Sequence, residues 1–116
     1  GQVVAAKLAT VRGPGVAGIR YLTAYSQETA PLVEGQLFYT FQGLTTDQRH
    51  YVAASFPLQS GLLPERLPDG FDFDAFARDV ATYQRQTAAT LDARSSIQFT
   101  PALELLDALV QSITVE

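Results

Sequence analysis

Residues 35–56, which read GQLFYTFQGLTTDQRHYVAASF, decide the fold of this chain. The segments 35–43 and 49–56 are rich in aromatic and β-branched residues, a composition typical of strands. The short stretch between them has a length that suits a tight hairpin. A tip at Asp47-Gln48 gives a definite set of paired residues: Gly43 with Val52, Phe41 with Ala54, and Tyr39 with Phe56. The sequence therefore predicts an antiparallel hairpin in this register.

The register divides the hairpin into two faces, because successive side chains of a strand point to opposite sides. The first face is the better candidate for the core and carries Leu37, Tyr39, Phe41, His50, Val52, Ala54 and Phe56. The second face is amphipathic and carries Phe38, Thr40, Gln42, Arg49, Tyr51, Ala53 and Ser55. Exposed aromatic side chains can hold a ligand or a partner. We therefore name four weak candidates for binding residues: Phe38, Tyr51, His50 and Arg49.

A second hairpin precedes the first along the chain. Residues 3–12 and 18–25 carry β-forming residues without a helical period, and residues 13–17 between them begin with Gly-Pro-Gly, which marks a turn. Residues 26–34 then connect the two hairpins. The glycines of this turn do not predict a phosphate-binding loop, because a strand rather than a helix follows them.

The second half of the chain predicts a long loop and two helices. Residues 57–71 hold three Pro and two Gly and predict an irregular loop that is either functional or merely long. Apolar residues at helical spacing predict a helix over 73–93, capped by Asp72 or Asp74. Thr100 and Pro101 predict the start of a second helix. Its apolar stripe would comprise Leu103, Leu106, Leu109, Val110 and Ile113.

Four strands followed by two helices indicate an α+β domain, with an antiparallel sheet of two hairpins and both helices packed on one face. The length of 116 residues predicts a single domain over 1–116. The net charge is −4 and the basic residues are scattered, so nucleic acid is not an expected partner. No apolar run is long enough to span a bilayer. The absence of Cys excludes a thiolate nucleophile and Cys-based zinc sites.

Few side chains suggest chemistry. His50 is the single histidine, and a general base usually needs a second group that orients it. Asp69, Asp72 and Asp74 alternate around a glycine but do not follow the order of a calcium-binding loop, so they predict helix capping rather than a metal site. Glu104 and Asp107 are expected on the solvated face of the last helix. No serine lies in a nucleophile elbow, and no cofactor is predicted.

Four segments carry a resemblance to known proteins. They are GIRYLTAY (18–25), EGQLFYTFQGLT (34–45), YVAASFP (51–57) and FTPALELLDAL (99–109). Together they resemble a region of uncharacterised lipoproteins and secreted proteins of Chloroflexi-type bacteria. Those proteins have Asp-Gly at the hairpin tip, where this chain has Asp47-Gln48. They also carry a further β-rich segment ahead of this region, so the resemblance implies that this chain is the C-terminal part of a longer protein.

Three functions stay open on the sequence. The absence of a catalytic constellation and the resemblance favour an extracytoplasmic, non-enzymatic domain that binds a small ligand or a protein partner, through the sheet edge, the weaker aromatic face or loop 57–71. The first alternative is a small hydrolase-like enzyme that uses His50 with Tyr39, or the carboxylates near Asp72, in a cleft closed by the loop. The second is a structural half of an obligate assembly, formed with another copy or with a missing N-terminal segment.

Overall fold

The computed structural model describes residues 1–115, and it confirms the α+β class. Four strands form one antiparallel sheet in the order in which they follow along the chain: β1 (Gln2–Arg12), β2 (Val16–Tyr25), β3 (Phe38–Thr45) and β4 (Tyr51–Pro57). Three α-helices follow: α1 (Phe73–Ala77), α2 (Val80–Ala93) and α3 (Leu103–Gln111). A single 3-10 turn over Ser96–Gln98 separates α2 from α3.

The predicted hairpin register is confirmed. Gly43 pairs with Val52, Phe41 with Ala54, and Tyr39 with Phe56. Gln48 at the tip adopts a φ of 62°, a conformation that Gly occupies more readily than Gln. Side chains of the tip hold it there, because the Thr45 hydroxyl donates a hydrogen bond of 2.6 Å to the Asp47 carboxylate. The same carboxylate oxygen accepts the Arg49 N–H at 3.0 Å.

The core lies between the sheet and the helices. The predicted core face of the hairpin is buried here, since Tyr39 and Phe41 of β3 and Leu37 just before it are almost wholly inaccessible to solvent. Helix α3 contributes Leu103, Leu106 and Val110 to the same cluster. Leu109 was expected in this stripe, and that prediction is wrong, because 49% of it is exposed. It shares the outward side of α3 with Leu105, four residues earlier and one turn away.

Several predicted boundaries differ from the structure. The single helix over 73–93 is two helices, because Asp79 between them has the non-helical angles φ −145° and ψ 46°. The last helix begins at Leu103 rather than at Pro101 with Thr100 as its cap, because Thr100 exchanges two backbone hydrogen bonds with Gln59 and is extended. The third strand begins at Phe38 rather than 35, because Gly35 has a φ of 97° in a turn.

A β-bulge in β1 connects the sheet to α2. The pairing with β2 shifts between Ala6 and Ala9, and Lys7 within the shift has a φ of 58°. The Lys7 N–H, which the shift takes out of the ladder, donates a hydrogen bond of 2.6 Å to the carboxylate of Asp92 near the end of α2. The Lys7 carbonyl accepts a hydrogen bond from the Arg20 guanidinium. The bulge therefore satisfies its own backbone groups with side chains from two other elements.

Asp107 ties α3 to the inner face of the sheet, which corrects its predicted place on a solvated helix face. Its carboxylate accepts a hydrogen bond of 2.8 Å from the Tyr39 hydroxyl and lies 3.3 Å from Nε of Arg20. Burial, and then the hydrogen bond to Asp107, raise the pKa of Tyr39 well above its ordinary value. Glu104 is exposed as expected and bonds the Ser96 hydroxyl at the surface.

We expect Asp107→Asn to lower the free energy of unfolding by about 2 kcal/mol. The substitution removes the negative charge that pairs with Arg20 and that accepts the hydrogen bond of the Tyr39 hydroxyl. Urea denaturation at neutral pH measures the change. Glu104→Gln is the matched control, since it replaces a surface carboxylate of the same helix by an amide. An equal effect of both substitutions would show that Asp107 contributes only as a surface charge.

Candidate functional site

The two aromatic candidates of the outward hairpin face lie far apart. Phe38 is at the start of β3, where its ring stacks on Tyr25 with centroids 5.8 Å apart. Tyr51 pairs with Leu44 near the hairpin tip and is 66% exposed. The six residue steps from Phe38 to Leu44 correspond to roughly 20 Å along the strand. The structure therefore does not bring Phe38 and Tyr51 into one site.

Arg49 and His50 lie exposed at the hairpin tip. His50 was grouped with the core-facing residues of the hairpin, and this placement is wrong, because β4 begins only at Tyr51. Within residues 1–115 the imidazole of His50 makes no hydrogen bond; its backbone N–H and carbonyl both bond Thr45. Tyr39 is buried several residues further along the hairpin, so the two side chains of the predicted enzymatic pair are separated.

Two of the three aspartates around Gly70 serve the start of a helix. Asp72 caps α1, since its carboxylate accepts the Ala75 N–H at 3.0 Å. Asp74 lies in the first turn of the same helix, where the helix dipole favours an acidic residue. In the part of the chain that the structure describes, no group of three or more His, Asp or Glu side chains is placed to hold a metal ion.

One concavity among the described residues lies under loop 57–71. It is a cavity of about 430 Å³ between the loop, helix α2 and residues 31–32 of the connection that leads to β3. Its lining is mostly apolar and comes from Pro31, Leu32, Leu62, Leu63, Pro64, Leu67, Pro68, Phe71, Tyr83, Gln86, Thr87, Thr90 and Leu91. We call this space the loop cavity. The loop forms one wall of a space of the size that small molecules occupy.

Glu34 holds that wall in place. Its carboxylate accepts hydrogen bonds from the Ser60 hydroxyl at 2.7 Å and from the N–H groups of Ser60, Gly61 and Leu63 at 3.2, 3.0 and 3.1 Å. Its own N–H donates to the carbonyl of Pro64 at 2.9 Å. The residues of the 60–64 segment lie outside any helix or strand, so this one side chain replaces the regular hydrogen bonding that they lack.

The pKa of Glu34 is lower than that of an ordinary glutamate. Partial burial acts to raise it, but the hydrogen bond from the Ser60 hydroxyl and those from the backbone N–H groups outweigh burial. Each of these bonds favours the charged carboxylate over the protonated acid. The loop wall therefore depends on an ionised Glu34.

Helix α2 forms the opposite wall. The Tyr83 hydroxyl accepts the Leu32 N–H at 2.7 Å, which fixes the connection before β3 against the helix and leaves the hydroxyl proton free to donate. The Tyr83 ring also packs edge-on against Phe76 of α1, with centroids 5.0 Å apart. The ring centroids of Phe71 and Phe76 are 6.1 Å apart, so Phe71 packs the end of the loop against the same aromatic cluster.

The polar side chains of the cavity lie on one side only. Gln86, Thr87 and Thr90 follow Tyr83 at helical spacing, so they present hydrogen-bonding groups from α2. The loop side contributes leucines, prolines and Phe71. None of the lining residues, all of which are described, is charged. The cavity thus suits an apolar, uncharged molecule that can make hydrogen bonds along one edge.

Comparisons with models of protein families, with curated proteins and with solved structures find no match to this chain. Among the described helices, none combines the length and the apolar character needed to cross a bilayer.

We expect Glu34→Gln to raise the hydrogen-exchange rates of the Gly61 and Leu63 amides by roughly tenfold, because the carboxamide accepts fewer hydrogen bonds than the carboxylate. Amide exchange followed by NMR measures this, with the amides of β3 as an internal reference. Glu65→Gln, which changes an exposed carboxylate of the same loop, is the control. Unchanged exchange at Gly61 and Leu63 would contradict the role given to Glu34.

The same contact predicts how the loop responds to pH. The pKa of Glu34 is lower in the folded state than the ordinary value of 4.5, so its contribution to stability is complete above that value. The contribution is lost as the pH falls through the lowered pKa of the folded state. We expect the protection of the Gly61 and Leu63 amides to fall on acidification below the ordinary value in the wild type, but not in Glu34→Gln. Protection factors measured over an acidic pH series test this.

Proposed function

We propose that this chain is a binding domain that takes an uncharged, largely apolar small molecule in the loop cavity. The observation that carries the proposal is the cavity itself, with its volume of about 430 Å³ and its lining free of charged side chains. This volume lies in the range of small-molecule sites, which are typically apolar with a few polar groups that fix orientation. The ligand would place its apolar part against the loop and a hydrogen-bonding group toward α2.

The chemistry of the lining supports binding rather than catalysis. Tyr83 is the one residue with an ionisable side chain among those that line the cavity, and its hydroxyl already accepts the Leu32 N–H. A general base or nucleophile needs a second group within hydrogen-bonding reach. The candidate base, His50, lies exposed at the hairpin tip and is not among the lining residues.

An extracytoplasmic location in a bacterial envelope or secreted fraction is part of the proposal. It rests on the resemblance of segments such as 34–45 and 51–57 to lipoproteins and secreted proteins. Immunodetection of the native protein in separated envelope, culture-fluid and cytosolic fractions of its source tests the location. Recovery from the cytosol alone would contradict it.

Two fluorescent probes that share the same aromatic skeleton but differ in charge test the binding proposal. N-phenylnaphthylamine is uncharged, whereas anilinonaphthalene sulfonate carries a negative charge. Because no cationic side chain lines the cavity, desolvating the sulfonate there would be costly. We expect the uncharged probe to bind roughly tenfold more tightly or better. Fluorescence titration measures both affinities.

Two tryptophan substitutions on α2 locate the site. Thr87 lines the cavity, so Thr87→Trp fills part of it and should weaken binding of N-phenylnaphthylamine by roughly tenfold or more. Ala89 is exposed on the same helix and is not a lining residue, so Ala89→Trp should leave the affinity unchanged. Circular dichroism checks that both variants fold. Wild-type affinity in a folded Thr87→Trp variant would place the probe elsewhere and overturn the proposal.

A further inference from the structure

The face of the sheet opposite the helices is uncovered, and no acidic residue lies in the strands that form it. Residues of β2, β3 and β4 on the side of the sheet opposite Tyr39 and Phe41 form what we call the outer face: Ala17, Ile19, Tyr21, Thr23, Tyr25, Phe38, Thr40, Gln42, Leu44, Tyr51, Ala53, Ser55 and Pro57. Thr23 and Thr40 among them are buried. None of these residues is charged, and Arg12 of β1, which pairs with Ala17, lies at the edge of the face. None of the 12 acidic residues of the chain lies in any of the four strands.

Several large apolar side chains of the outer face are open to solvent. Tyr51 is 66% exposed, Tyr25 57%, Leu44 44% and Ile19 43%. An exposed face of a sheet in a soluble protein usually carries charged residues, which discourage association. A surface that lacks charge and is enriched in tyrosine has instead the composition of the buried centre of a protein–protein interface.

The accessible surface area of the chain is larger than that of a typical folded monomer of the same mass. Its accessible area is 7102 Å², whereas a folded monomer of this mass exposes about 6,200 Å². Its radius of gyration is 16.0 Å, against about 13 Å for a globular chain of this length. The difference in area is about 900 Å², and a standard protein interface buries about 800 Å² on each partner. The excess is therefore of the size that one ordinary interface buries on each partner.

We propose that the outer face is the interface through which two copies of this chain associate. Each copy carries a net charge of −4, and a contact through the helices or loops would bring acidic residues of both copies together. A contact through the outer face keeps these charges apart, because the acidic residues lie outside the strands. Apart from Arg12 at its edge, the face offers no charged group that would select a different partner by complementarity. Two sheets that pack face to face lie about 10 Å apart, with interdigitated side chains.

Sedimentation equilibrium over a concentration series tests the proposal on the intact chain. We expect the wild type to dimerise, and Ile19→Lys, in a central strand of the outer face, to raise the dissociation constant by roughly tenfold or more through burial of a charge. Leu105→Lys is the matched control, since Leu105 is an apolar residue of α3 that is 60% exposed on the opposite layer. It should leave the dissociation constant within about twofold of the wild type.

A second variant separates lost association from lost folding. Leu44→Ser shortens an exposed side chain near the hairpin tip and should also weaken the dimer, while circular dichroism of both face variants stays like that of the wild type. A wild type that remains monomeric at millimolar concentration would overturn the proposal and leave the face to a different partner. Equal weakening by Ile19→Lys and Leu105→Lys would overturn it as well, since association would then not be specific to this face.

Discussion

The contact between the Glu34 carboxylate and residues 60–63 is the interaction on which the loop cavity depends. Ser60, Gly61 and Leu63 have N–H groups but no strand or helix partner, and a buried N–H without an acceptor is costly. A single carboxylate satisfies all three and the Ser60 hydroxyl as well. The leucines and prolines of the loop can then face inward over α2 instead of collapsing onto the sheet.

The position of the opposite wall follows from the sheet. The bulge at Lys7 turns a backbone N–H toward Asp92, which anchors the last turn of α2 beside β1. Tyr83, two turns earlier, then meets the Leu32 N–H. Asp107 fixes α3 separately, through Tyr39 and Arg20. The loop and α2, which bound the cavity, are thus each attached by polar contacts to a different part of the fold. Apolar side chains pack between these contacts.

Features that repeat locally could be predicted from the sequence, whereas features made by one distant contact could not. The hairpin register followed from alternation and turn length, so Phe41 opposite Ala54 was predictable. The break at Asp79 was not, because the apolar spacing continues through it and only the backbone angles reveal it. Leu109 was misplaced for a related reason: both sides of α3 are apolar, and the sequence alone does not say which side meets the sheet.

The candidate site likewise has parts that could be predicted from the sequence and parts that could not. Loop 57–71 stood out by its length and its prolines, and its leucines turn out to line the cavity. Glu34 carried no signal, since its partners lie 26 to 29 residues away along the chain. The four candidates chosen from the hairpin, Phe38, Arg49, His50 and Tyr51, lie outside the cavity, and Phe38 and Tyr51 belong instead to the outer face of the sheet.

Chemical-shift mapping of the backbone amides during titration with N-phenylnaphthylamine locates the ligand on the intact chain without any substitution. We expect shifts confined to the walls of the loop cavity, with the largest at Leu32, Leu63 and Thr87. Shifts concentrated on β3 and β4, or no saturable shifts at all, would contradict the claim that this chain binds an apolar ligand between its loop and α2.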